Sequence, residues 1–418
     1  MRTRILIKIA ESYFADKFKN ADRIPLELRP KEQQPSRCCI YKDRAVLKYR
    51  CMSSLGFSPE EETDELKSLA QYGEEALERT HPEKAQLCVI DVACSACIKA
   101  QYMVTNACRG CFARPCQMNC PNEALSFVNG RAHIDPDKCV NCGKCHEVCP
   151  YHSIIRIPVP CEEACPVGAI TKDEFGKEHI DTEKCISCGK CLQSCPFGAI
   201  EQMSFVDQVE KVLADKSRLC VAHPSPAVRV SICEEFGGKP GELTTEQLSN
   251  ALEAVGFQVY DCNSTADQTI LEEGTEFVKK ARYWLLGERS EEVNEMAEHP
   301  FPHFTSCCPA WVKNMETNHA DLIPHVSTAK SPLQMGGALA KTWGAKFLWK
   351  CDPRKIFFVS VTPCTAKIFE AARPEMNQGW HWAKEQGMIP ADAPSYQDID
   401  ACLTARDLAE LFRRKGVN

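Results

Sequence analysis

Cys139-Val-Asn-Cys142-Gly-Lys-Cys145-His-Glu-Val-Cys149-Pro150 returns further along the chain as Cys185-Ile-Ser-Cys188-Gly-Lys-Cys191-Leu-Gln-Ser-Cys195-Pro196. Both stretches read C-x2-C-x2-C-x3-C-P. At that spacing three thiolates can converge from one tight turn, and the following proline directs the fourth away. Each run therefore offers three ligands to one [4Fe-4S] cubane and one to another. Zinc is the rival for clustered thiolates. Its structural sites usually pair two short C-x2-4-C knuckles, which is not the pattern of a four-cysteine run ending in Cys-Pro and occurring twice.

Two further units are variant, one ahead of both runs and one between them. Cys108, Cys111, Cys116 and Cys120-Pro121 carry one longer gap, and Cys161 with Cys165-Pro166 keeps only the second half of a unit. A small apolar run follows each Cys-Pro: NEALSF, HSIIRI, VGAITK and FGAIEQ. A repeat of this kind is the architecture itself. The complete runs are those of bacterial ferredoxins. Four units in a row resemble electron-transfer subunits with four cubanes, in which the first unit pairs with the fourth and the second with the third. That resemblance implies about three cubanes here. Cys108, Cys111 and Cys116 pair with Cys195; Cys185, Cys188 and Cys191 with Cys120; Cys139, Cys142 and Cys145 with Cys165. Cys149 and Cys161 are left over. The rival pairing joins the two complete units directly and leaves the variant units to share a third cluster. Upstream, Cys38, Cys39, Cys51, Cys88, Cys94 and Cys97 fit no spacing rule, although Cys94-Ser-Ala-Cys97 has the form of half a site.

The chain has 418 residues and 28 cysteines, of which 20 precede residue 200. A disulfide scaffold is short and secreted; in a reducing compartment, tight C-x-x-C spacing means metal ligation. The first residues, MRTRILIKIAESYF, lack a cleavage site and read as mature protein, and no apolar run approaches a membrane span. A cytoplasmic protein without a membrane role is expected. The net charge of −7 argues against nucleic acid as partner. The 13 Lys/Arg against 6 Asp/Glu in residues 1–50 read as a solvated or docking face.

An α+β multi-domain organisation follows. Residues 1–100 form a partly helical, cysteine-containing region, with DELKSLAQYGEEALER (64–79) showing helical spacing of Leu66, Leu69, Tyr72 and Leu77 between Pro59 and Pro82. Residues 101–203 form the ferredoxin-type domain. From 204 to 418 the pattern is α/β: an amphipathic helix in FVDQVEKVLADK; strands in RLCVAH (218–223), FQVYDC (257–262), KIFFVSV (355–361) and DIDACL (398–403); helices over 245–256 and 405–416.

In this last region Phe304-Thr-Ser-Cys-Cys-Pro-Ala-Trp311 and Val361-Thr-Pro-Cys-Thr-Ala-Lys367 end expected buried strands, where parallel sheets place their ligands. With STAKSP (327–332) between them, these motifs resemble the H-cluster domain of [FeFe] hydrogenases, over roughly 218–418. The resemblance implies that Cys308 and Cys364 ligate the cubane of the H-cluster. It makes Cys307 the terminal proton donor to a diiron unit carrying CO and CN ligands, with Lys367 paired to a cyanide. EEGTE (272–276) matches the family's acidic segment and maps a proton relay to Glu273, Glu276 and Ser327; the spacing of three sets both glutamates on one helix face. HPSPAVRV (223–230) resembles the segment lining the diiron pocket, with an unusual histidine at 223.

The family's third motif, E-x-M-x-C-x-G-G-C, does not occur in these residues, so two of the four H-cluster cysteines are present. A continuation of the chain or another chain supplies the rest, or the domain works without hydrogen chemistry. The implied activity is reversible reduction of protons to H2, with ferredoxin or a similar redox protein and the H-cluster maturation proteins as partners. Two rivals stand beside it: a non-catalytic electron-transfer protein, and the hydrogenase-like scaffolds of iron–sulfur assembly. Cys307 and the full PCTAK motif, positions where those scaffolds depart, weigh against the second.

Overall fold

The computed structural model describes residues 2–16, 18–78, 87–95, 97 and 101–417. They divide into two compact units, one of residues 1–88, 184–189 and 202–418, the other of 89–183 and 190–201.

The first unit contains a small helical core and a sheet. Helices Arg2–Asp16, Ile24–Leu28, Ile40–Ser54 and Leu69–Glu78 enclose Ile5, Ile9, Leu47, Met52, Leu69 and Tyr72. The last of these helices begins five residues later than the apolar spacing suggests. The Ser68 hydroxyl accepts the Gln71 amide, and the Gln71 side chain accepts the Ser68 amide, a reciprocal cap that starts the helix at Leu69. Asp22 accepts the amides of Leu69 and Ala70. Leu66 is left exposed ahead of the cap; Arg79 and Pro82 lie outside the described residues.

The sheet has four parallel strands in the order Gln258–Val259, Leu219–Pro224, Ile356–Val361, Ala401–Leu403. All six residues of Ile356–Val361 are buried, as a strand covered on both faces requires. Its alternation sorts the faces. Phe357, Val359 and Val361 meet the helices Val206–Ala214, Thr245–Val255 and Ala405–Arg414. Ile356 and Phe358 face the side covered by Cys262–Trp284 and Pro332–Leu339. Phe257–Cys262 contributes only two strand residues, because Asp261 caps the 23-residue helix Cys262–Trp284 by accepting the Asn263 amide. The TSCCP motif does not end a strand: Phe304 makes one isolated bridge, to Val326.

The second unit is built of short hairpins. Strands Tyr102–Val104 and Ile154–Arg156, Leu125–Val128 and Arg131–Ile134, and Ile170–Lys172 and Glu178–Ile180 pair antiparallel. Three of these six strands are apolar runs that follow a Cys-Pro. Among the described residues, no helix is long and apolar enough to cross a membrane.

His223, the odd residue of its motif, is fully buried at the end of a central strand. Its Nε2 lies 3.1 Å from Thr265 Oγ1, and its ring packs on Tyr260 and Phe358. Burial penalises the imidazolium and lowers the pKa to about 4. An unfolded histidine titrates near ~6.5, so the unfolded state takes up the proton first as the pH falls. His223 therefore favours the fold fully above about pH 6.5, and that contribution is lost progressively down to about pH 4, amounting to about 3 kcal/mol. All six tryptophans lie in this unit, so urea unfolding followed by tryptophan fluorescence reads it directly. His223→Gln should flatten the fall in stability between pH 7 and pH 5; an unchanged slope would show that other groups cause it.

Candidate metal centres

In the second unit the repeat is structural as well as sequential. A short helix in each unit carries a cysteine at its second position: Cys116 in Pro115–Met118, Cys145 in Lys144–Glu147, Cys161 in Pro160–Ala164 and Cys191 in Lys190–Ser194. The cysteine before each proline accepts an amide four residues on. The pairs are Ala124 to Cys120 at 3.3 Å, Ser153 to Cys149 at 3.4 Å, Ala169 to Cys165 at 3.2 Å and Ala199 to Cys195 at 3.4 Å. A turn thus aims each of these sulfurs before the apolar strand begins. Gly143, at φ +79°, serves the run Cys139–Cys145; a Cβ there would meet Tyr102 Oη at 2.7 Å.

Two cysteine-lined cavities result. Cys139, Cys142 and Cys145 share one with Cys120, walled by Leu125 and Ile134. Cys108, Cys111 and Cys116 share one with Cys149, walled by Phe127, Ala132 and Ile154. Burial pushes the Cys145 thiol up to about 11 and the Cys116 thiol up as well. A bare thiolate is costly in such walls, and bound iron would offset that cost. These groupings correct the outer-with-outer pairing. Cys195 does not join the Cys108 set, nor Cys165 the Cys139 set, and Cys149 is not left over. The direct pairing of the two complete units fails equally. The hairpin Leu125–Val128/Arg131–Ile134 and the pairing of 102–104 with 154–156 fold neighbouring units onto each other, which closes shorter loops than an outer pairing would.

Three of the upstream thiols sit in the helical core or cap it. Cys39 caps the helix Ile40–Ser54, its sulfur accepting the Lys42 amide, which lowers its pKa. Cys51 is buried, and burial pushes it up to about 12. Cys88 Sγ lies 3.5 Å from Ser53 Oγ.

In the first unit, the loop after Val361 carries Cys364, whose amide donates to Thr362 Oγ1. The Thr365 hydroxyl donates to the Ser187 carbonyl at 2.7 Å. Gly189 adopts φ +74° there, and a Cβ on it would lie 2.7 Å from Thr365 Oγ1. The segment with Cys185 and Cys188 is thus seated on the PCTAK loop. Lys367 is buried; its ammonium lies 2.6 Å from Glu370 and donates to the Cys307 carbonyl at 2.9 Å. One N–H donor is thus engaged by a carbonyl, and the charge is paired with a carboxylate. The helix Pro309–Asn318 after TSCCP packs on Ala366–Ala371, which holds Lys367. Cys307 and Cys308 are exposed.

Glu273 and Glu276 lie on the helix Cys262–Trp284. Glu276 Oε2 accepts the Ser327 hydroxyl at 2.9 Å and the Thr328 amide at 2.9 Å. Beside it are two residues that sequence reading passed over. Lys280, fully buried, lies 3.5 Å from Glu276 Oε1 and 2.9 Å from His303 Nδ1. Its i,i+4 spacing from Glu276 was the available signal. Burial works against the Glu276 carboxylate, but the Ser327 and Thr328 hydrogen bonds and the Lys280 charge outweigh it and hold the carboxyl below its usual value. Glu273 Oε1 and His303 Nε2, both buried without a hydrogen-bond partner, face each other across 4.0 Å. Glu276 and Ser327 are thus hydrogen-bonded, and Glu273 lies next to His303.

Thiol-lined cavities in one unit and, in the other, a parallel sheet whose strand Ile356–Val361 leads into the Cys364 loop are the marks of an iron–sulfur protein. Residues 218–418 match the iron only hydrogenase large subunit, C-terminal domain; 131–154 match a 4Fe-4S binding domain and 155–206 the LdpA Fe-S cluster-binding domain. The periplasmic [Fe] hydrogenase large subunit of Nitratidesulfovibrio vulgaris is 40% identical over 297 residues, 71% of this chain and 60% of that relative. Iron hydrogenase 1 of Clostridium pasteurianum is 36% identical over 216 residues, 51% of this chain and 32% of that relative. Cytosolic iron-sulfur assembly component 3 of Pongo abelii is 29% identical over 220 residues, 52% of this chain and 41% of that relative. The chain is an [FeFe]-hydrogenase-like iron–sulfur protein, with [4Fe-4S] domains and an H-cluster domain. It spans 60% or less of the length of these relatives.

Two outcomes test these sites. Cys120→Ala should perturb the EPR signal of the same cluster as Cys142→Ala, and Cys149→Ala that of Cys111→Ala; a Cys120→Ala effect shared with Cys188→Ala, and none from Cys149→Ala, would restore the outer pairing. Glu276→Ala strands the Lys280 ammonium and should cost about 3–5 kcal/mol. Glu276→Ala combined with Lys280→Met should recover most of that in urea unfolding, and a purely additive loss would mean the pair is not coupled.

Proposed function

We propose that the chain serves the reversible reduction of protons to H2, taking electrons from ferredoxin or a similar redox protein through its cubanes. The observation that carries this reading is the Lys367 ammonium bonded to the backbone of Cys307. It brings the two chemistry-bearing motifs, TSCCP and PCTAK, to one place. Cys308 and Cys364 would serve as cubane ligands of the H-cluster, which when bound supplies the redox-active iron; Lys367 would set its positive charge against an anionic ligand of that group.

The protein's own residues handle the proton. Ser327 donates to a Glu276 carboxylate held ionised, so this carboxylate is an acceptor at neutral pH. Glu273 and His303 extend the line. The Cys307 thiol, carried next to the Lys367 contact, is the last donor. The seat of the Cys185–Gly189 loop on Thr365, beside Cys364, supports entry of electrons at that cysteine.

The test uses the chain joined to the family's E-x-M-x-C-x-G-G-C segment and matured by the H-cluster maturation proteins. It should evolve H2 from reduced ferredoxin and show infrared bands of iron-bound CO and CN. Cys307→Ala should lower turnover at least about a hundredfold, the lower range for removing a proton-transfer group, with iron content and infrared bands retained. Absence of those bands in the parent protein would favour the second reading, a scaffold akin to the assembly component, which the 29% identity over 220 residues supports.

A further inference from the structure

The third repeat lacks half its cysteines, yet it is built like the others. Cys161 occupies the second position of a short helix, as Cys116, Cys145 and Cys191 do. It is therefore the third cysteine of a run whose first two are missing. Counting back as Cys139 and Cys142 stand to Cys145, those places hold Ile155 and Pro158. Cys195 is aimed like Cys120 and Cys149, by the amide four residues on. A third and a fourth ligand are thus presented with no C-x-x-C of their own.

Cys94-Ser-Ala-Cys97 fills that place. Cys94, Cys97, Cys161 and Cys195 line one cavity, as four cysteines line each of the two centres described above, and Val89, Phe197, Ala199 and Ile200 supply an apolar wall. The upstream turn is fastened to the repeat by its backbone. The Ile90 amide donates to the Ala199 carbonyl at 2.6 Å, the Cys94 amide to the Ile90 carbonyl at 3.0 Å, and the Lys177 ammonium to the carbonyls of Asp91 and Cys94. Ala199 thereby serves both sides, its amide on Cys195 and its carbonyl on Ile90. Glu178, the one acidic side chain in this wall, is engaged by Lys172. Among the described residues, no three Cys, His, Asp or Glu side chains are grouped to hold a single metal ion; these thiols ring a space instead.

We propose that Cys94, Cys97, Cys161 and Cys195 hold a further [4Fe-4S] cubane, the upstream C-x-x-C replacing the pair missing from the third repeat. The count rises by one above the three that spacing and repeat order imply, and Cys161 becomes a ligand rather than a spare thiol.

The full chain, reconstituted anaerobically with iron and sulfide, provides the test. Cys94→Ser with Cys97→Ser should remove about four iron and four sulfide per chain and one reduced spin system. Cys161→Ser should remove the same signal. Combining all three should lose no more than either. Cys38→Ser, an exposed thiol outside the repeat, should lose nothing. Cys161→Ser also stands in if the double variant fails to fold, since its short helix belongs to the repeat itself. Unchanged iron in either variant, additive losses in the triple variant, or stoichiometric zinc in the parent would overturn the proposal. So would loss of the Cys111-dependent signal in Cys195→Ser, which is what the outer pairing requires.

Discussion

A cubane asks for four thiolates arriving from different directions, and one tight turn can deliver only three of them. Everything in the cysteine-rich unit answers that constraint. The proline after each fourth cysteine turns the chain away, and an amide four residues on fixes the sulfur. The strand that follows then pairs so that the departing cysteine lands on a neighbour's three. Where Ile155 and Pro158 stand in place of thiols, the constraint persists, and the chain meets it from Cys94 and Cys97.

The sheet domain solves a different problem, holding reactive groups still at the end of a buried strand. Ile356–Val361 is packed on both faces, and burying a phenylalanine such as Phe358 is worth about 3–5 kcal/mol by truncation. The loop that leaves it is therefore anchored at its root. Its outer side is held by Thr365 on Ser187 and by Lys367 on Cys307. A glycine at 189 is the condition for the first of these, since any side chain would strike Thr365.

A buried ammonium needs compensation, and Lys280 receives it from Glu276 and His303. The same arrangement keeps Glu276 ionised next to Ser327. Stability and the charge of Glu276 are thus tied together on one helix. This is a reason for the acidic segment to sit on a long capped helix and not on a mobile loop.

Local spacing determined much of this protein. The C-x2-C-x2-C-x3-C-P runs specified cubanes, the alternation in KIFFVSV specified a buried strand, and the three-residue spacing of Glu273 and Glu276 set them on one face. Each of these is a relation within a turn or a strand, where a few dihedral angles settle the geometry. Partnership between distant residues was not legible in the same way. Nothing in the spacing of Cys149 says that it meets Cys108, or that Cys94 faces Cys161, because any thiolate can complete any cubane. Loop closure and hairpin pairing choose among them. The shift of the helix start to Leu69, the burial of Lys280 and the seat of Thr365 on Ser187 were likewise decided by tertiary packing, which brings together groups that the sequence keeps far apart.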